Sequence, residues 1–312
     1  MGALLFPGQG SQVVGMGSEF HTNFKLVKKI FKEADEKLNY PISKLILEGP
    51  ENDLQLTKNT QPAILTVSYS IFKVLKDEFN FDFSSFKYFA GHSLGEYSAL
   101  VCADSLSFND ALYLLYERGK AMQEAVPVGR GKMIAILGIK IEEIIDILKS
   151  TVGEKGVCEI ANDNAEGQVI VSGNKERVEY LQSILKDRKI KSIPLKVSAP
   201  FHCSLMKPAE NSMKEKIAKT KFINPIFKII NNVTATPENN SEKIKELLVK
   251  QISSTVKWRD SIINMSTSGV KNFIEVGPGK ALSGMIKRTI KEANCFSINS
   301  ITDIKNLTNE FK

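Results

Sequence analysis

The sequence predicts an α/β protein: a large α/β-hydrolase-like domain with a mostly parallel sheet, carrying an inserted ferredoxin-like α+β subdomain. Three observations carry this expectation. A glycine-flanked serine, Gly91-His92-Ser93-Leu94-Gly95, follows an apolar run at 86–90 and precedes a helical run at 96–103, the pattern of a sharp strand-to-helix turn. Strand and helix patterns alternate through both flanks of the chain, which implies crossover connections and a parallel sheet. Between the flanks, residues 128–197 read as β-α-β-β-α-β, the ferredoxin-like order.

The elements follow in turn. Residues 3–6 form a short buried strand ended by Pro7-Gly8-Gln9-Gly10-Ser11, and 24–38 and 63–79 are amphipathic helices. Ser107-Phe108-Asn109-Asp110 has the Ser-x-x-acid form of a capping box, so a helix is expected over 111–125. In the insert, 132–137, 157–161, 168–172 and 189–197 read as strands, and 141–148 and 175–186 as helices. The return begins at Ser198 and continues as a helix (205–219), a strand (226–230), a helix (244–252), a strand (272–276) and a helix (281–291). The expected organisation is therefore a discontinuous catalytic domain, 1–127 with 198–312, around a subdomain at 128–197.

Composition narrows the functional classes. The 312 residues are 42% hydrophobic and 25% charged, ordinary for a globular protein able to bury a full core. The longest apolar stretches fall short of the ~20 residues of a membrane span, and the first residues lack a basic region before Pro7, unlike a secretory signal. A cytoplasmic protein with no membrane partner is expected. Cys102, Cys158, Cys203 and Cys295 are scattered with no CxxC pair, which argues against zinc, iron–sulfur or a disulfide framework. Forty-two Lys plus Arg against 35 Asp plus Glu give a net charge of +7. Lys25, Lys28, Lys29 and Lys32 sit at helical spacing as a solvated face would, and no nucleic-acid motif accompanies them. Solubility or an acidic protein partner explains the charge better than nucleic acid.

A serine on a sharp turn is a candidate nucleophile, and it needs a base. Of the three histidines, His21 lies in a polar stretch and His92 inside the turn itself, which leaves His202, in a proline-flanked loop at the re-entry into the large domain. Three histidines also make a histidine-based metal site unattractive. The loop Gly8-Gln9-Gly10 follows a strand but is no dinucleotide fingerprint, because the third glycine of GxGxxG would fall at Val13. Its amides can approach a reacting centre and serve as oxyanion donors. Arg118 reads either as a surface arginine among helix carboxylates or as a planar fork for a carboxylate substrate; spacing leaves both open.

The motifs Phe6-Pro7-Gly8-Gln9-Gly10-Ser11-Gln12, Gly91-His92-Ser93-Leu94-Gly95-Glu96-Tyr97, Arg118-Gly119, Phe201-His202 with Leu205-Met206, Asn231-Asn232-Val233-Thr234, Gln251 before Val256-Lys257-Trp258, and Glu275-Val276-Gly277-Pro278-Gly279 together resemble the malonyl-CoA:acyl-carrier-protein transacylases of type II fatty acid synthesis. The likeness runs nearly end to end. It implies Ser93 as nucleophile, His202 as base, and the amides of Gln9 and Leu94 as oxyanion hole. It implies Arg118, with Gln251 and Phe201, as the substrate-binding set, and Gly8, Asn162, Asn231 and Gln251 as orienting or structural neighbours. Relatives orient the histidine through a backbone carbonyl near the position of Gln251. Phe201 accords with malonyl, since methylmalonyl-selective relatives tend to carry a smaller residue there. Cys203 stands where many relatives have serine, and Ser204-Leu205 lacks the proline often found there. No permanently bound cofactor or metal is implied; malonyl-CoA is the substrate, and the phosphopantetheine arm of acyl carrier protein the acceptor.

Two rival readings use the same residues. An α/β-hydrolase or thioesterase needs an acid between Ser93 and His202 in chain order; Asp104, Asp110, Asp146, Asp163 and Asp187 lie there, none clearly ending a core strand. A carrier-docking scaffold with a dead site would not need Ser93, His202 and Arg118 intact.

Overall fold

The computed structural model describes residues 1–151, 156–197 and 199–311. Ser198, where the return of the large domain was expected to begin, and Lys312 at its end lie outside the described residues. The described strands, in chain order, are β1 (Gly2–Phe6), β2 (Phe86–Gly91), β3 (Gly131–Leu137), β4 (Cys158–Ala165), β5 (Gln168–Asn174), β6 (Lys191–Pro194), β7 (Lys228–Ile230), β8 (Pro237–Glu238), β9 (Val256–Lys257), β10 (Asn272–Val276) and β11 (Asn294–Ile298).

The larger sheet has the order β11-β10-β1-β2-β7-β8. All its neighbours pair in parallel except β7 with β8. Its centre is buried on both faces: every residue of β1 is buried, as expected of a parallel strand covered by helices. The helices Thr57–Lys73 and Gly95–Cys102 are buried almost all round. The carboxyl ends of β1, β2 and β7 converge on one edge of the sheet, where open α/β sheets place their ligand crevice.

The second sheet has the order β6-β3-β5-β4-β9. Its first four strands are antiparallel neighbours crossed by the helices Ile141–Thr151 and Lys175–Asp187, the ferredoxin-like arrangement anticipated from sequence. A fifth strand comes from the returning chain: Asn162 and Asp163 of β4 pair in parallel with Val256 and Lys257 of β9. Arg259, just beyond β9, closes on Asp163 at 2.9 Å. The insert is thus sewn to the segment that follows Gln251.

Several boundaries differ from the sequence pattern for local reasons. The helix expected over 63–79 begins at Thr57, because Thr60 Oγ1 and Asn59 Nδ2 donate to the carbonyls of Leu54 and Asp53 and start it early. Pro62, at the sixth position, removes one donor without breaking it. The chain then passes into a single π turn at Val74–Glu78. Ser107 caps the helix Phe108–Glu124 by accepting from the Asp110 amide, but its hydroxyl donates to Asp110 Oδ2 at 2.7 Å, so one side of the anticipated box is replaced by a side-chain bond.

Candidate active site

Ser93 sits between β2 and the helix Gly95–Cys102 at φ 53°, a left-handed conformation that costs a non-glycine residue roughly 1–3 kcal/mol. The flanking glycines make the turn possible. A Cβ on Gly91 would lie 1.9 Å from the Gly95 carbonyl carbon, and one on Gly95 would lie 2.2 Å from the Phe6 oxygen. Asn232, just past β7, ties the turn down: its Oδ1 accepts from the Ser93 amide at 2.7 Å, and its Nδ2 donates to the Gly91 carbonyl at 2.8 Å.

The hydroxyl so presented meets two side chains. Ser93 Oγ lies 2.8 Å from His202 Nε2 and accepts from Arg118 Nη2 at 3.1 Å. His202 is itself at φ 57°, and its Nδ1 lies 2.9 Å from the Gln251 backbone oxygen. A carbonyl only accepts, so Nδ1 carries the proton and Nε2 is free to receive the serine proton. The five aspartates between Ser93 and His202 take no part: Asp163 is held by Arg259, and the imidazole faces a peptide carbonyl instead of a carboxylate.

Arg118 is only 1% exposed, so it is not a surface arginine. Gly119 brings it there, since a Cβ at that position would lie 2.6 Å from the Thr57 oxygen and the Lys58 Cα. The two helices touch backbone to backbone, and Arg118 Nη1 donates to Gln61 Oε1 at 2.7 Å while Nη2 donates to Gln251 Oε1 at 2.8 Å. Its Nε has no partner among the described residues. Through its contact with Ser93 Oγ the guanidinium borders the cavity into which the serine opens.

That cavity, of about 100 Å³, is bounded by Gln9, Leu94, Ser93, Arg118, His202 and Phe201, with Asn162, Met133, Leu195 and Val197 closing it from the insert side. Among the described residues, neither the Gln9 nor the Leu94 backbone N–H is taken by a protein acceptor. Gly8 packs behind them, where a Cβ would fall 2.6 Å from the His92 oxygen. His92 turns away from the serine and places Nε2 2.8 Å from Asn164 Oδ1. Asn231 lies outside the cavity and donates through Nδ2 to Glu96 Oε1 at 2.5 Å. Among the described residues, no group of three or more His, Cys, Asp or Glu side chains is disposed to hold a metal ion.

Burial sets the electrostatics. His202 is pushed down to about 3 by desolvation and then by the positive charge of Arg118, so the imidazole is a neutral base throughout the physiological range. Burial likewise lowers Arg118, partly opposed by Tyr97 and Glu96. Glu96 is raised to about 7 by desolvation, against the hydrogen bonds from Gln251, Asn232 and Asn231 and the charge of Arg118.

The family profile described as acyl transferase domain matches residues 3–311. The chain belongs to this acyl transferase family. It is 42% identical over 299 residues to the malonyl CoA-acyl carrier protein transacylase of Bacillus subtilis (strain 168), covering 95% of this chain and 93% of that one. The crystal structure of acyl-carrier-protein-S-malonyltransferase from Bartonella henselae superposes with a TM-score of 0.96 at 39% identity, covering 99% of both chains. A malonyl-transacylase solved with its type II PKS acyl-carrier protein superposes at 0.95 with 37% identity, again covering 99% of each chain.

Within this acyl transferase chain, sequence reasoning overlooked four polar residues at or beneath the site: Gln61, Glu96, Asn164 and Asn232. Glu96 and Asn232 stood inside recognised motifs, and an acidic residue three positions after the serine in an otherwise apolar helix was a usable signal for a buried carboxylate. Nothing local marks Gln61 or Asn164, which matter only through contacts 57 and 72 residues away.

Proposed function

We propose that the chain transfers a malonyl group from malonyl-CoA to the phosphopantetheine thiol of acyl carrier protein, in fatty acid synthesis, by way of a malonyl ester on Ser93. One observation carries the reading: the nucleophile, a neutral imidazole held by a peptide carbonyl, and a buried guanidinium meet at one small cavity. Ser93 Oγ gives its proton to His202 Nε2 and bonds the thioester carbon. The amides of Gln9 and Leu94 hold the oxyanion, and as it collapses the carbon–sulfur bond breaks and CoA leaves as the thiol with the proton from His202. In the second half-reaction His202 deprotonates the carrier thiol, which attacks the ester and returns Ser93 to its hydroxyl form. A thioester replaces a thioester, so no net bond energy need be supplied.

Arg118 accounts for the choice of acyl group. Its guanidinium can take the malonyl carboxylate, a charge-assisted pairing that discriminates against acetyl by on the order of 2–4 kcal/mol in a desolvated cleft, while Phe201 bounds the cavity and Gln251 holds the guanidinium from behind. The catalytic domain is read as 1–127 with 198–312, and the subdomain at 128–197 supplies the opposite wall. A cytoplasmic location suits this reaction; among the described residues no helix is long and apolar enough to cross a membrane.

The deciding experiment is intact-protein mass spectrometry after mixing with malonyl-CoA and no acceptor. One malonyl adduct is expected, mapping to Ser93 and lost in Ser93→Ala. Label on a cysteine, or turnover to free malonate with no trapped ester, would replace the transferase by a thioesterase.

A further inference from the structure

We propose that Glu96 is a positioning residue for acyl selectivity, its carboxylate fixing which way the Gln251 amide faces and thereby holding the guanidinium of Arg118 toward the acyl cavity. The proposal rests on Arg118 being the malonyl clamp.

Glu96 is fully buried, one turn after Ser93. Every group hydrogen-bonded to its carboxylate is a donor: Asn231 Nδ2 on Oε1, and the Asn232 amide at 3.1 Å and Gln251 Nε2 at 2.8 Å on Oε2. Such a pocket suits an ionised carboxylate, which only accepts. A carboxyl proton would point a fourth donor into it.

The consequence passes through Gln251. A side-chain amide has one donor end and one acceptor end, so a carboxylate that takes Nε2 obliges Oε1 to face the other way. There it accepts from Arg118 Nη2 at 2.8 Å. Were the amide reversed, its NH2 would confront the guanidinium, donor against donor, and Arg118 would lose a partner. Among the described residues Arg118 has no carboxylate in direct contact; its donors meet Gln61, Ser93 and Gln251. Glu96 is thus its counter-charge at one remove, with a single amide dipole between them. The same Gln251 supplies the carbonyl that orients His202, and Asn232, held by Glu96 through its amide, anchors the Ser93 backbone. One carboxylate therefore sits behind all three members of the site; the Gln251 NH2 that it holds also donates to the Ser93 carbonyl at 3.1 Å, an acceptor that favours the same amide orientation, while the acceptor end that this orientation turns outward is the one Arg118 uses.

Among the described residues, the other charged or titratable groups acting on Glu96 are Arg118, from the helix Phe108–Glu124, and Tyr97 on its own helix. Desolvation raises the Glu96 acid to about 7, so its protonation falls in the accessible range while that of His202, at about 3, does not.

The test is Glu96→Gln, nearly the same shape but with a donor where all three neighbours donate. The specificity constants for malonyl-CoA and acetyl-CoA are measured across the neutral pH range for wild type and variant. In the variant the malonyl-to-acetyl ratio should drop roughly 10- to 100-fold, the scale of one hydrogen bond to a charged group, and should not change with pH. Equal losses for both substrates would mean a structural role and overturn the proposal, as would an unchanged ratio. Should the variant fail to fold, the wild type decides: its ratio should fall as the pH drops below about 7, and a constant ratio overturns the proposal. A wild type without malonyl preference would instead remove the reading of Arg118 on which this one stands.

Discussion

The backbone N–H of Ser93 donates to Oδ1 of Asn232 at 2.7 Å across 139 residues of chain. The serine is in a left-handed conformation that few residues adopt without support, and the bond comes from a side chain fixed in turn to the Gly91 carbonyl and the Gln251 amide. The geometry of Ser93 is therefore set by the end of β7 as much as by the turn itself.

Replacing Asn232 by Ala should leave a buried amide and a buried carbonyl without partners, costing about 1–3 kcal/mol each. Denaturant unfolding should show a lower midpoint with an unchanged slope. Acylation by malonyl-CoA should slow more than tenfold, on the order of one lost positioning contact; a stable variant with full activity would show that the turn holds the serine unaided.

His202→Ala should slow acylation by roughly 10²–10⁴-fold, the scale of a positioned base, with the fold retained. It also has a pH signature. In the folded chain burial holds His202 at about 3, below the 6.5 of a free imidazole, so between these two values the unfolded chain binds the proton and the folded chain does not. Stability then rises with pH across that window and is lost on acidification. The variant lacks this contribution and should lose less stability between neutral pH and pH 5 than the wild type. Urea titrations of both proteins at the two pH values measure the difference.

Arg118→Ala should abolish the preference for malonyl while sparing acetyl, because only malonyl leaves an unpaired anion in the cavity. A loss of ~2 kcal/mol corresponds to about 30-fold in specificity constant, which parallel assays resolve. Equal slowing of both acyl groups would assign Arg118 to the support of Ser93 alone, through the 3.1 Å contact to its hydroxyl.

Gly119→Ala tests how Arg118 is delivered. The added methyl would meet backbone atoms of Thr57 and Lys58 at 2.6 Å, and backbone cannot swing aside. The helices must separate, at a cost typical of overpacking, about 1–3 kcal/mol, and Arg118 should shift relative to Gln61. Reduced thermal stability together with weakened malonyl selectivity is the expected pair of results.

The surface charge gives a test involving the carrier. At +7, encounter with an acidic partner is a screened interaction. Transfer to the carrier should weaken with added salt, while acylation by malonyl-CoA alone changes less. Equal salt dependence of the two half-reactions would return the charge to solubility.

The alternation of strand and helix, the ferredoxin-like order of the insert, and the sharp strand-to-helix turn at Ser93 were all legible in the sequence, because each is written in local patterns: apolar periodicity, glycine where a Cβ cannot fit, a capping serine. Ser93 and His202 could be paired by elimination among three histidines. What local pattern could not settle was decided by contacts between distant segments. β9 is two residues long, too short for any periodicity, and exists because β4 offers an edge to it. Arg118 looked equally like a solvated helix arginine, and only the close approach allowed by Gly119 buries it. The apolar helix around Glu96 marks it in sequence as a candidate for burial and no more; the ring of donors about its carboxylate exists only when Asn231, Asn232 and Gln251 fold over it. Residue identity fixed the chemistry available at each position, and the low-dielectric interior assembled by tertiary packing decided which charges would be held, shifted and aimed.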